Sequence, residues 1–142
     1  MDDQESFAQE LARISRSWRA TLDGRLRESG FTQARWYALL QLSRGCEGMT
    51  QRELARRVGV EGPTIGRLLD GLEKQGLIER RSVNGDRRAY GIHLTPAAQP
   101  LLKGINRTAA ALRLELLEDI PGRDLATCIA VLRRIGDRLD HR

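Results

Sequence analysis

The chain of 142 residues is long enough to bury one core, and an aromatic content of 4% leaves that core to aliphatic side chains. A net charge of +5 permits an anionic partner without requiring one. The polar, acidic N-terminus is no secretory signal, no apolar run approaches a membrane span, and Cys46 and Cys128 make no disulfide framework, so a reducing cytoplasm is the expected compartment.

Apolar residues at Phe7, Leu11, Ile14, Trp18, Leu22 and Leu26 recur in steps of three and four, which predicts an amphipathic helix over 6–28, ended by Gly30. Thr32 can cap a second helix running to about Arg44. Thr50 and Glu53 form the Thr-x-x-Glu pattern of a capping box at the start of a third, which Gly59 closes. Gly62-Pro63 opens a fourth, because proline at a first helical position gives up an N–H that has no partner there. That helix stops at Gly76. Leu77 to Arg81 and Tyr90 to Leu94 read as two strands around an Asn84-Gly85 tight turn. Thr95-Pro96 begins a long helix to about Leu117, and Pro121 opens the last, with Leu125, Ile129, Leu132, Ile135 and Leu139 on one face. The expected fold is therefore mainly α with a small β-hairpin, in the order α-α-α-α-β-β-α-α.

From Gln51 to Asp70 the chain reads QRELARRVGVEGPTIGRLLD, which meets the demands of a helix-turn-helix. Ala55 is small where two helices touch. Gly59 suits a left-handed turn residue, and Leu54, Val58, Val60, Ile65 and Leu68 can lock the helices together. Nearly every basic residue is arginine, the exceptions being Lys74 and Lys103. A guanidinium suits phosphates and guanine edges, although a GC-rich genome would enrich arginine as well.

Other chemistries are poorly served. Cys46 precedes Glu47, which disfavours a thiolate, and Cys128 falls on the apolar face of the last helix, so neither suits a redox sensor. His93 and His141 are the only histidines, too few and too scattered for a metal sensor. No nucleophile with a base, no metal or cofactor motif and no phosphate-cradling loop points to an enzyme. The alternative of another class is a winged-helix protein-interaction or architectural module without ligand control, which would not require the arginine set described below.

Leu72-Glu73-x-x-Gly76-Leu77-Ile78-Glu79-Arg80 leads into a hairpin bearing Asp86-Arg87-Arg88, followed by Leu94-Thr95. With that wing pattern the chain resembles the MarR family, and within it the SlyA-like branch, as do Leu11-Ala12-Arg13, Trp18-Arg19-Ala20, Thr32-Gln33 and Trp36. The resemblance spans nearly the whole length. It implies a homodimer held by helices within 1–30 and 97–142, with residues 31–96 forming a winged helix-turn-helix lobe. The apolar faces of the outer helices, too large for a small lobe to bury alone, point the same way.

In such a lobe the first turns of the second helix of the motif reach base edges in the major groove, which assigns Gly62, Pro63, Thr64 and Arg67 to DNA. Arg67 is suited to a bidentate bond to guanine. Arg87 is the candidate for the minor groove; Asp86 would pair with an arginine to shape the wing, and Arg88 would serve a phosphate or that pairing. Arg52, Arg56, Arg80 and Arg81 are further phosphate candidates or plain surface charges. The resemblance also implies a pocket for a small aromatic or phenolic acid, and its alignment puts Arg16, Trp36, Leu40 and Arg67 there. Ala34 and Leu40 make such a pocket more apolar than in that branch.

Overall fold

The computed structural model describes residues 1–28, 30, 32–45, 48–83 and 86–142, and for Gln33, Val83 and 86–89 the backbone alone. The order is α1 (Asp3–Glu28), α2 (Gln33–Arg44), β1 (Met49–Thr50), α3 (Gln51–Val58), α4 (Gly62–Lys74), β2 (Ile78–Val83), β3 (Asp86–Leu94), α5 (Ala98–Leu117) and α6 (Gly122–Asp140). Six helices and a three-stranded antiparallel sheet in the order β1-β3-β2 make a winged helix. The contacts divide the chain into one unit of Met1–Ala109 and another of Ala110–Arg142.

Helix α1 starts three residues earlier than its hydrophobic repeat because Asp2 and Glu5 cap it reciprocally. The Asp2 carboxylate accepts the Glu5 N–H at 2.8 Å, and the Glu5 carboxylate accepts the Asp2 N–H at 3.3 Å. At α3 half of the expected box forms: Thr50 Oγ1 accepts the Glu53 N–H at 3.2 Å. The Glu53 carboxylate instead receives the guanidinium groups of Arg56 and Arg57. Two charged partners outweigh one backbone amide.

The first unit is built around Leu26, Trp36, Leu39, Leu54, Ile65, Leu69, Leu72, Ile78 and Ile105, each buried almost completely. Burying a side chain of this size stabilises by about 1.5–3 kcal/mol, so the core is aliphatic with a single large aromatic. The strand β1 was not legible in the hydrophobic pattern, since two residues immediately before a helix cap have no periodicity to read. It pairs Met49 with Ile92 and Thr50 with Gly91. A Cβ on Gly91 would stand 2.9 Å from the Gly48 carbonyl oxygen, so a side chain there would push β1 away. The strand β2 runs to Val83 and β3 begins at Asp86, both longer on the turn side than the apolar runs suggest, with a register irregularity at Ser82/Val83. The expected Asn84-Gly85 turn lies outside the described residues.

In the second unit the latter part of α5 continues to Leu117 and α6 carries no buried residue. Leu114, Leu116, Ile120, Ile129, Val131, Leu132 and Leu139 are all exposed there. At the other end of the chain Phe7, Leu11 and Ile14, spaced four and three apart along α1, are exposed by 41–44%.

Candidate nucleic-acid interface

The pair α3–α4 has the helix-turn-helix geometry. Leu54 and Ile65 are fully buried between the helices and Ala55 is 8% exposed, so its methyl sits where a larger side chain would separate them. Gly59 ends α3 at φ 80°, a left-handed conformation that costs glycine little and other residues more. The Gly59 and Val60 N–H groups both close onto the Ala55 carbonyl, at 2.9 and 3.1 Å. This tight turn sets the entry of α4. Glu61 occupies its N-cap position without a side-chain cap, and Pro63 sits in the first turn.

The four residues assigned to base reading occupy the free end of that helix. Gly62, Pro63, Thr64 and Arg67 are all exposed, while Ile65 and Leu69 on the other side of α4 are buried. Asp86, Arg87 and Arg88 belong by their backbone to β3, and their side chains lie outside the described residues. Between the starts of α3 and α4 runs an open groove of about 580 Å³, lined by Thr50, Gln51, Arg52, Gly62 and, from β3, Tyr90. Tyr90 is 43% exposed within β3, which ends at Leu94; sequence reasoning takes it only as the start of a strand, and an aromatic at the polar, turn-side end of that apolar run is the available signal.

The four further arginine candidates, with Arg57 beside them, divide by what they touch. Arg52 is exposed and has no ion pair among the described residues. Arg56 and Arg57 bind Glu53, at 2.8 and 3.1 Å, and hold its carboxyl below the usual carboxylate range, chiefly through their hydrogen bonds. Arg81 binds Glu79 at 2.8 Å along the same strand. Arg80 turns inward to α4, its guanidinium 2.7 Å from Asp70.

The residues assigned to an effector are spread out. Trp36 and Leu40, one turn apart on α2, are 1% and 3% exposed. The Trp36 indole N–H donates to Asp23 at 3.0 Å, and Arg27 reaches the other oxygen of that carboxylate at 2.6 Å. Among the described residues of the unit Asp23 is the buried acid, and its hydrogen bonds offset the cost of removing it from water. It tethers α1 to α2, a role missed in the sequence although an acid sits beside Leu22 and Leu26 on the apolar face. Arg16 is exposed, two helical turns N-terminal of Asp23, and Arg67 is exposed on α4. Next to the tether, Arg19 stacks 4.1 Å over the Tyr37 ring. None of Arg16, Trp36, Leu40 and Arg67 lines the cavity of about 380 Å³ in the first unit, which is bounded by Thr32, Arg35, Leu39, Leu72, Gln75 and Leu101 among others.

Among the described residues no group of three or more His, Cys, Asp or Glu side chains could hold a metal ion, and no helix is long and apolar enough to cross a membrane. Cys128 is exposed on α6, and Cys46 lies outside the described residues.

Comparison with known proteins agrees with this geometry. Residues 29–89 match the model of the MarR family. The crystal structure of the transcriptional regulator PA3341 is 51% identical over 96% of this chain and 99% of that one, with a TM-score of 0.87. CouR from Rhodococcus jostii, crystallised with p-coumaroyl-CoA, is 25% identical over 94% of this chain and 92% of its own, with a TM-score of 0.76. MepR of S. aureus in complex with DNA shares the fold at 22% identity and a TM-score of 0.75, over 93% of this chain and 97% of that one.

Proposed function

The chain belongs to the MarR family of transcriptional regulators, and from that premise we propose that it acts as a homodimer reading a pseudo-palindromic operator through α4 and the wing. It is a DNA-binding regulator rather than an enzyme. The observation that carries the reading is the split face of α4, with Ile65 and Leu69 buried while Gly62, Pro63, Thr64 and Arg67 stand exposed at its first turns. Those are the turns a helix-turn-helix inserts into the major groove. Arg67 reads guanine, Thr64 meets a phosphate or a thymine methyl, and Pro63 gives an apolar contact. In the wing Arg87 enters the minor groove, Asp86 shapes the turn by pairing with an arginine, and Arg88 serves a phosphate or that pairing.

Dimerisation draws support from apolar side chains left in water. Phe7, Leu11 and Ile14 form one stripe, and Ile129, Leu132 and Leu139 another. A two-fold interface buries such stripes on both protomers at once. It sets two copies of α4 about 34 Å apart, one turn of DNA. The segments Leu11-Ala12-Arg13 and Trp18-Arg19-Ala20 favour the SlyA-like branch, and a cytoplasmic location follows from a target on DNA.

The effector of this reading is a small aromatic or phenolic acid, taken by Arg16, Trp36, Leu40 and Arg67. The p-coumaroyl-CoA bound to CouR, a relative, is a thioester that shares the phenolic acyl group of such an acid but not its free carboxylate. Because the Trp36 N–H is engaged by Asp23, a ligand would meet the ring face and compete with the packing of α1 on α2. It regulates only if it binds the DNA-incompetent arrangement better than the competent one. The test is a fluorescence titration of Trp18 and Trp36 with hydroxycinnamic acids and their thioesters, alone and with operator DNA. Binding that Arg16→Ala weakens, and that releases DNA, supports the effector; saturation without any change in DNA affinity removes it.

A further inference from the structure

Arg80 does not behave as a surface charge. It is on β2, where it pairs with Ile92 of β3, and its side chain is only 20% exposed. Its Nη1 stands 2.7 Å from Asp70 Oδ1 and 3.7 Å from Glu73 Oε1, and its Nη2 donates to the Gly66 carbonyl at 3.3 Å. The backbone N–H of Arg80 also donates to Glu73 Oε2 at 3.3 Å. The buried Nε has no acceptor among the described residues, a cost the rest of the guanidinium must offset. One strand residue thus holds three positions of α4, and Gly66, Asp70 and Glu73 at steps of four and three form a single stripe along the helix.

The location of that stripe is what matters for recognition. Successive helix residues are rotated by about 100°, so Gly66 and Arg67 point along directions roughly a quarter-turn apart. Holding the stripe to β2 fixes the rotation of α4 about its own axis and therefore the direction of Arg67. The same contact fixes α4 relative to the hairpin that carries Arg87. The opposite end of the stripe is tight as well: a Cβ on Gly66 would stand 3.3 Å from Gln51 Nε2 of α3.

We propose that Arg80 is a positioning residue for DNA recognition, clamping the wing to α4 through Asp70, Glu73 and the Gly66 carbonyl so that Arg67 meets its base at a fixed angle. This rests on the reading of α4 as the base-reading helix. A competing role as a phosphate ligand makes the opposite prediction at Asp70. Simple electrostatics says that removing an acid from a DNA-binding lobe strengthens binding to any duplex. Loss of a clamp weakens binding to the preferred sequence.

The experiment compares wild type with Asp70→Asn, Glu73→Gln, Arg80→Ala, Arg80→Lys and Arg67→Ala on a duplex selected from a random pool and on a scrambled duplex, each over a salt titration. Thermal unfolding of every variant establishes that it is folded at the assay temperature. The clamp predicts that Asp70→Asn and Glu73→Gln, which leave every arginine in place, lower affinity for the selected duplex several-fold. Affinity for the scrambled duplex stays level or rises, so the specificity ratio falls. Arg80→Ala lowers the ratio by about tenfold with an unchanged salt slope, whereas loss of a phosphate contact would flatten that slope by about one ion. Arg80→Lys, which keeps the charge but not the fork, does not restore the ratio. The clamp is overturned if Asp70→Asn leaves or raises affinity for the selected duplex while Arg67→Ala loses it; α4 then remains the reader. If Arg67→Ala also changes nothing, α4 is not the reader and the clamp falls with it.

Discussion

The helix-turn-helix lobe and the chain's outer helices carry equally clear helical repeats, yet their apolar faces meet different fates. In α4 the repeat is consumed inside the chain, with Ile65, Leu69 and Leu72 fully buried. In α6 the repeat is as regular and no residue is buried. The first half of α1 leaves Phe7, Leu11 and Ile14 in water, while its last turns bury Leu22 and Leu26. Amphipathic spacing reports that a helix has a face to cover; it says nothing of whether the cover belongs to the same chain. Charge is divided within the lobe itself. In the lobe Arg56, Arg57, Arg80 and Arg81 are matched by acids within 3.1 Å, whereas Arg52 and Arg67 are among the described cations that stand exposed without such a match and can meet phosphate or base at no internal cost.

The sharpest way to break this comparison is to remove a methyl-rich side chain from each region. Leu69→Ala should cost about 2–5 kcal/mol of unfolding free energy in urea, because the cavity forms inside a core that cannot fully collapse. Leu132→Glu on α6 should lower dimer affinity by at least tenfold in sedimentation equilibrium and leave the secondary structure seen by circular dichroism intact. A Leu132→Glu protein that stays dimeric at micromolar concentration would mean the α6 stripe has another occupant.

Within the lobe, Arg67→Ala should cost about 1–3 kcal/mol on the preferred duplex relative to a scrambled one, measured by fluorescence anisotropy. Arg87→Ala should weaken binding while leaving dimerisation and helicity unchanged; an unaltered affinity would take the minor-groove role from it. Thr50→Ala should cost about 0.5–2 kcal/mol of stability, the value of one helix cap. The smallest effect is one of pH. The Glu53 carboxyl is held low by Arg56 and Arg57, so its contribution is complete above the ordinary glutamate value of about 4.3 and is lost as pH falls through the lower folded-state value. Glu53→Gln should remove that part of the acid sensitivity and no part of any change near neutrality.

Much of this was legible because it is local. Ala55, Gly59 and Pro63 act on their own neighbours, so spacing alone locates the turn of the motif and the first turn of α4. What escaped depends on partners distant in the chain. The two residues of β1 are a strand only because Gly91 lets them approach β3. Trp36 is a pocket candidate by resemblance, and spacing could not show that its indole N–H is held by Asp23, thirteen residues away in sequence. Arg80 looked like one more basic side chain beside Arg81. On a strand, neighbouring residues face opposite sides, and that alternation turns Arg80 to α4 and Arg81 to Glu79.

The most direct measurement is selection of the wild-type protein on a random pool of duplex DNA, followed by sedimentation of the complex with the enriched sequence. The account predicts an inverted repeat with half-site centres about ten base pairs apart, bound by two protomers, with affinity that falls steeply as salt rises. A single unpaired half-site bound by one protomer, or no enrichment at all, would contradict it.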